Sequence, residues 1–403
     1  MDRPIEEAGR GLRVLVAPDS FKGTFSSVVV ATALAEGWRR SRPGDAVELA
    51  PMADGGEGTL DAVEASGGWL RLPVAAKDPL MRTLAASFLR DGDRAVIEMA
   101  EASGLSRLPR DEHDAVATST FGTGQILATA IGLGCRRVVL GLGGSATTDG
   151  GAGLLEALGA RFRDASGADL PPGGGPLGEL AAIDLSGLPE LLAEVSLTVA
   201  SDVTNPLLGE LGAASTYAPQ KGASVAQVER LERGLRRYAD VMEATVGRPL
   251  RYEVGTGAAG GTTFGLIAIA DHFASFEVRP GVDIVMELTG FAERLAEADL
   301  VLTGEGMVDT QTAYGKTAMG VVEHARTAGV PAICFGGGVT AQGVALMTSL
   351  GVATLSVTER PMGLDEVVAA GTAPIARAAE RAARLVSLGA GLGAAAGERP
   401  ADR

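Results

Sequence analysis

The chain has 403 residues, with 50 acidic against 35 basic side chains and a formal net charge of −15. That balance opposes a nucleic-acid binder, and 46% hydrophobic with 21% charged residues opposes disorder as a whole-chain state. The length suits two or three domains. Two cysteines, Cys135 and Cys334, exclude a disulfide framework or a Cys-rich zinc site, and His113, His272 and His324 are too scattered for a metalloprotease motif.

The predicted elements alternate along the chain. Arg13–Ala17 (RVLVA) reads as a buried strand ending at Pro18-Asp19-Ser20, followed by an amphipathic helix over Ser26–Arg39 with Ser26 or Ser27 as its cap. Val47–Ala50 is a second strand, leading through Met52-Ala53-Asp54-Gly55-Gly56-Glu57-Gly58 into a helix over Thr59–Ala65. Ala95–Met99 is a strand, Thr123–Gly132 a helix, and Arg137–Leu140 a strand entering Gly141-Leu142-Gly143-Gly144. Further strands are Leu197–Ala200, Leu300–Leu302, Ala332–Phe335 and Ala353–Val357. Asp365–Leu385 is expected as the longest helix, and Gly389–Arg403 as a frayed, disordered tail. Strand, glycine loop and helix in repeated order predict an α/β fold with parallel strands, which binds ligands at the carboxyl ends of the strands.

Met1–Arg10 carries Asp2, Glu6 and Glu7 and no apolar run, so no leader is expected. The longest uncharged stretch, Ala115–Cys135, is too rich in Thr, Ser and Gly to span a membrane. The expected location is cytoplasmic, with no membrane or nucleic-acid partner. The sequence leaves open whether the chain pairs as a homodimer.

The residue alphabet is skewed toward Ala, Gly and Arg. Only four lysines occur, and three of them touch glycine: Lys22, Lys221 and Lys316; the fourth is Lys77. A lysine beside glycine in a loop can bring a compact charge close to a phosphate, although any single one is equally well a solvated surface group. Six carboxylates, Asp19, Asp54, Asp149, Asp202, Glu305 and Asp309, fall in or just after strand-end loops. Each alone is more often a turn residue; together they argue for a shared cleft with a metal. Asp202-x-x-Asn205-Pro206 suits either a polar-ligand contact or a simple Asx turn.

Two motif tests bear on the chemistry. Gly141-x-Gly143-x-x-Ala146, with Asp164 about 20 residues on, fits a dinucleotide fingerprint and makes an NAD(P)-dependent oxidoreductase the rival reading. Asp149 weakens it, because a carboxylate at a helix start suits magnesium better than pyrophosphate. Gly315-Lys316-Thr317 resembles the end of a P-loop, but Thr310 stands where the first glycine is required.

The strand-end segments together resemble the bacterial type I glycerate kinase family. The matching stretches are Ala17-Pro18-Asp19-Ser20-Phe21-Lys22-Gly23, Pro51–Thr59, Ile97–Leu105, Gly141–Gly151, Pro219–Ala223, Thr303-Gly304-Glu305-Gly306 and Asp309-x-Gln311-Thr312-x-x-Gly315-Lys316. The resemblance implies a flavodoxin-like parallel-sheet domain built from both chain ends, 11–75 and 288–388. An α/β domain, 76–287, would be inserted between them, with the active site in the cleft. It also implies ATP-dependent phosphorylation of D-glycerate, most often at the 2-hydroxyl, with Mg2+ as cofactor. Glycerate 3-kinase, or a kinase of a related small hydroxy acid, is the alternative.

On that basis Lys22, Asp54 and Lys316 are the expected catalytic residues, with Asp54 taking the hydroxyl proton. Asp19, Ser20 and Asn205 would contact substrate. Gly143, Gly144, Ser145, Thr303 and Gly304 would bind phosphate or nucleotide, and Asp202, Glu305 and Asp309 the metal. The alternative for Asp54 is capping the Thr59 helix. Three departures from the family pattern stand out: Met307 where Arg is usual, Ser201 where Cys is usual, and no Ser in Gly336-Gly337-Gly338.

Overall fold

A computed structural model describes residues 11–313 and 317–397. The chain divides into two compact units. The first comprises residues 1–53, 61–66 and 285–403, and the second comprises 54–60 and 67–284.

The first unit holds a five-stranded, all-parallel sheet in the order Ala353–Ser356, Ala332–Val339, Leu300–Val308, Arg13–Val16, Ala46–Leu49. Val14, Leu15 and Val16 are buried, as a central strand covered on both faces requires. The helix Ser27–Ser41 begins at Ser26, whose hydroxyl accepts the Val29 N–H, and packs along the helix Ala373–Gly397. Their approach is close enough that a Cβ on Gly37 would lie 1.9 Å from the Ala376 carbonyl oxygen, so only glycine fits. Trp38 fills the space beside it, its ring N–H donating to Asp45 at 2.8 Å.

The second unit contains a six-stranded sheet ordered Ser275–Arg279, Ser196–Ala200, Arg137–Gly141, Arg94–Glu98, Thr83–Asp91, Leu70–Lys77. Its first four strands are parallel, and the last two form an antiparallel edge. A separate hairpin pairs Arg161–Asp164 with Leu180–Asp184. The core centres on Tyr238 of the helix Val225–Val246, whose ring meets Phe162 and Phe264 edge-on at 5.9 and 5.3 Å.

The fold class is the expected α/β, but several elements differ. Leu300–Val308 runs six residues beyond the expected Leu302, because Thr303–Val308 pairs onward with Cys334–Val339. The helix expected over Asp365–Leu385 is two helices, Leu364–Ala370 and Ala373–Gly397, broken at Gly371 with φ 62°. The second continues through the expected tail to Gly397. The boundary expected at 75/76 falls earlier, since Leu70–Lys77 is bonded along its length to Thr83–Asp91. Among the described residues no helix is long and apolar enough to cross a membrane.

Candidate active site

In the first unit, parallel pairing of Arg13–Val16 with Leu300–Leu302 sets two strand ends side by side. Beyond them the Asp19 N–H donates to the Gly304 carbonyl at 2.8 Å, and the Thr303 hydroxyl donates to the Ala17 carbonyl at 2.9 Å. Asp19, Ser20, Thr303, Gly304 and Glu305 are thereby brought to one place. The Ser20 N–H donates to the Asp19 carboxylate at 2.6 Å, fixing its direction. Lys22 sits exposed in the tight turn Phe21–Phe25, whose Phe21 N–H donates to the Phe25 carbonyl at 2.8 Å. A Cβ on Gly306 would come within 3.3 Å of the Lys22 backbone nitrogen, so the extended strand runs directly beneath that turn.

Glu305 is only 5% exposed. Burial, and secondly the Glu305 charge, push the neighbouring Cys334 thiol up to about 12. Asp309 follows the strand and donates its N–H to the Thr312 hydroxyl at 3.0 Å. Lys316 lies outside the described residues.

The second unit gathers another group at its own strand ends. The Asp54 carboxylate accepts the Gly56 N–H at 3.0 Å, an Asx turn. The following glycines pack onto the loop after Arg137–Gly141: the Gly143 N–H donates to the Gly55 carbonyl at 3.3 Å, and a Cβ on Gly143 would lie 2.3 Å from the Gly56 Cα. The exposed Asp202 accepts the Gly281 N–H at 3.0 Å, at the start of the helix Gly281–Leu288. A Cβ on Gly281 would in turn meet the Asp54 carbonyl at 2.0 Å. Asp54, Gly143 and Asp202 are therefore neighbours through three touching loops.

Within the 141–146 loop, the Leu142, Gly143 and Ala146 amides donate to Ala200, Gly55 and Ser103 carbonyls. Among the described residues no acceptor is seen for the amides of Gly144 and Ser145, which narrows the expected phosphate cradle to those two. Asn205 has both ends of its amide engaged, donating to the Leu211 carbonyl and accepting the Tyr217 hydroxyl, each at 2.8 Å. It shapes the 205–217 loop.

Sequence reasoning left three residues without a settled role. Glu98 accepts the Gly58 and Leu60 N–H groups at 3.2 and 3.1 Å and so caps the helix Thr59–Ala65, the task considered for Asp54. Lys221 is 2% exposed and donates to the Ser145 hydroxyl at 2.8 Å and the Thr147 carbonyl at 2.6 Å. Burial pushes its ammonium down to about 7, opposed by the charge of Asp149. Asp149, fully buried, accepts from the Thr120 N–H and hydroxyl, the Gly151 N–H and the Gly153 N–H at 2.8 to 3.2 Å. Burial raises its carboxyl and those four bonds oppose the rise. The magnesium role considered for Asp149 is therefore not supported, because its oxygens serve the protein. The signal for Lys221 was its retention in a lysine-poor chain; burial alone distinguishes its role.

The dinucleotide reading fails on geometry. The strand Arg137–Gly141 is followed by a folded loop, and the next helix starts only at Ala152. The Asp164 carboxylate accepts from the Ser166 N–H and hydroxyl and from the Ala168 N–H within its own hairpin turn.

Among the described residues no three His, Cys, Asp or Glu side chains are grouped to hold a metal ion. Asp202 belongs to the second unit, and Glu305 and Asp309 to the first. Their hard oxygen donors still suit magnesium, which in phosphoryl-transfer sites takes one or two carboxylates and completes its shell with phosphates and water.

Glycine loops and carboxylates at the carboxyl ends of parallel strands, with a lysine in the turn beside them, define an α/β enzyme of the phosphotransferase type. The family model described as the Glycerate kinase family matches residues 14–387. A glycerate kinase of Halalkalibacterium halodurans is 42% identical over 93% of this chain and 98% of its own length. The glycerate 2-kinase of Escherichia coli K12 is 37% identical over 94% and 99%. A crystal structure assigned as glycerate kinase 2 of Salmonella typhimurium LT2 superposes with a TM-score of 0.80 at 38% identity, covering 94% of this chain and 99% of that one. The chain belongs to the glycerate kinase family.

Proposed function

We propose that the protein transfers the terminal phosphoryl group of ATP to the 2-hydroxyl of D-glycerate, giving 2-phosphoglycerate, in the cytoplasm. The observation that carries this reading is the end-to-end match to the Escherichia coli protein named glycerate 2-kinase, with lysine, glycine and carboxylate segments at strand ends.

Phosphoryl transfer asks a protein for positioning and charge neutralisation more than covalent chemistry. Lys22, exposed in its turn, would neutralise charge on the transferring group, with Lys316 as its partner in that role. Asp54 would accept the proton of the attacking hydroxyl; the Gly56 N–H on one of its oxygens fixes its rotamer. Asp19 and Ser20 would orient the acid substrate, and Asn205 would act by holding its loop. The Gly144 and Ser145 amides, on the loop begun by Gly143, would bind phosphate oxygens, and Thr303 and Gly304 would shape the strand end that receives the nucleotide. Magnesium, held by one or two of Asp202, Glu305 and Asp309, would supply electrostatic screening of the phosphates.

Incubation with MgATP and D-glycerate, followed by phosphorus NMR, tests donor, acceptor and position together. A 2-phosphoglycerate resonance is expected. A 3-phosphoglycerate resonance would overturn the regiochemistry, and no phosphoglycerate at all would overturn the reaction.

A further inference from the structure

The first unit contains a cavity of about 590 Å³ that no expected site residue except Lys22 reaches. It opens at the carboxyl ends of Leu300–Val308, Ala332–Val339 and Ala353–Ser356, where open parallel sheets receive ligands. A three-carbon acid would leave most of it empty, whereas sites for larger organic ligands run from about 300 to 1,000 Å³.

Its chemistry is that of a planar, weakly polar group with an anionic tail. Phe21, Phe25, Met307, Val357, Met362 and Ile375 supply apolar and ring surface. Rings and thioethers of this kind hold flat heteroaromatic groups by stacking and dispersion. The side formed by residues 357–362 carries ion pairs: Glu359 with both Arg377 and Arg381, and Arg360 with Glu366. Lys22, in the turn after the first strand, places a cation at the opposite side.

The floor is backbone. A Cβ on Gly337 would lie 2.5 Å from the Gly306 carbonyl oxygen, so no side chain stands up there and a flat ring can lie close. Met307, 48% exposed, folds over Gly338, where a Cβ would meet its sulfur at 2.8 Å. Its thioether makes this edge apolar where arginine would have made it cationic.

We propose that this cavity takes the purine base and ribose of the nucleoside triphosphate, with the phosphates leaving it past Lys22. The proposal rests on the phosphotransferase reading above and adds the place of the base.

Two measurements test it on the full chain. Photolabelling with 8-azido-ATP, with and without excess ATP, should place protectable label on peptides spanning 21–25, 306–307 or 357–362. Met307→Ala should raise the dissociation constant for ADP about tenfold, the scale of one lost thioether contact, while the KM for glycerate and the melting temperature stay unchanged. Label confined to other segments, or no protectable label, together with unchanged ADP binding in Met307→Ala, overturns the proposal. The two readings fail separately. Pocket labelling without phosphoglycerate formation would keep the base site and remove the acceptor, whereas phosphoglycerate formation with labelling elsewhere would do the reverse.

Discussion

Lys22 and Lys221 share a local signature, a lysine followed by glycine in a turn, and the fold treats them oppositely. Lys22 is solvent-exposed on the rim of an open cavity. Lys221 is enclosed, with its ammonium spent on the Ser145 hydroxyl and the Thr147 carbonyl. The first is open to solvent; the second holds a loop in place. Composition draws attention to both, but only exposure tells them apart.

The largest effect is expected at the enclosed one. Lys221→Met removes two donated hydrogen bonds and leaves Asp149 without its nearby cation, which should lower unfolding stability by about 3 kcal/mol or more in urea titrations. Its pH dependence sharpens the contrast. The folded chain holds Lys221 down to about 7 against an ordinary 10.5, so between those values the unfolded chain binds more protons. The stability of the wild type relative to Lys221→Met should therefore rise with pH across that window and shrink as pH falls toward 7. A difference that stays flat from pH 7 to about 9.5 would mean that the amine titrates normally.

Lys22→Ala should act on turnover alone, lowering kcat by about 100- to 1,000-fold, the scale of removing one group that stabilises transition-state charge. Its melting temperature should match the wild type, and full activity would remove Lys22 from the site. The smallest effect is expected at Asp164→Ala, with a small drop in melting temperature as its turn loosens and unaltered nucleotide binding. A large rise in the KM for ATP would restore the 141–164 segment as a dinucleotide-type site.

The strand-loop-helix rhythm was legible because short Val, Leu and Ile runs end in loops marked by Gly, Pro, Asp or Ser; Arg13–Val16 and Arg137–Gly141 fall within a residue of their expected bounds. The antiparallel strands Leu70–Lys77, at the sheet edge, and Thr83–Asp91 beside it were not, because they carry mixed residues with a weak alternation. The helix Val225–Val246 escaped notice although Ser224 and Gln227 form a capping box at its start. At the site, the residue types were legible and their duties were not. Asp54, Asp149 and Asp202 each lie in a loop after a strand, yet one forms an Asx turn, one is sealed within a web of four donors and one receives a helix amide. Those assignments depend on neighbours as much as 79 residues away, which no local pattern records.

The pairing of Val14 with Leu300 has a consequence for synthesis. Residues 54–60 and 67–284 are all made before Leu300 leaves the ribosome, so the second unit has its whole complement of chain while the first still lacks three of its five strands. Until then Arg13–Val16 can zip only to Ala46–Leu49, with its other edge open to any stray strand. The nascent protein must shelter its own beginning until its end arrives.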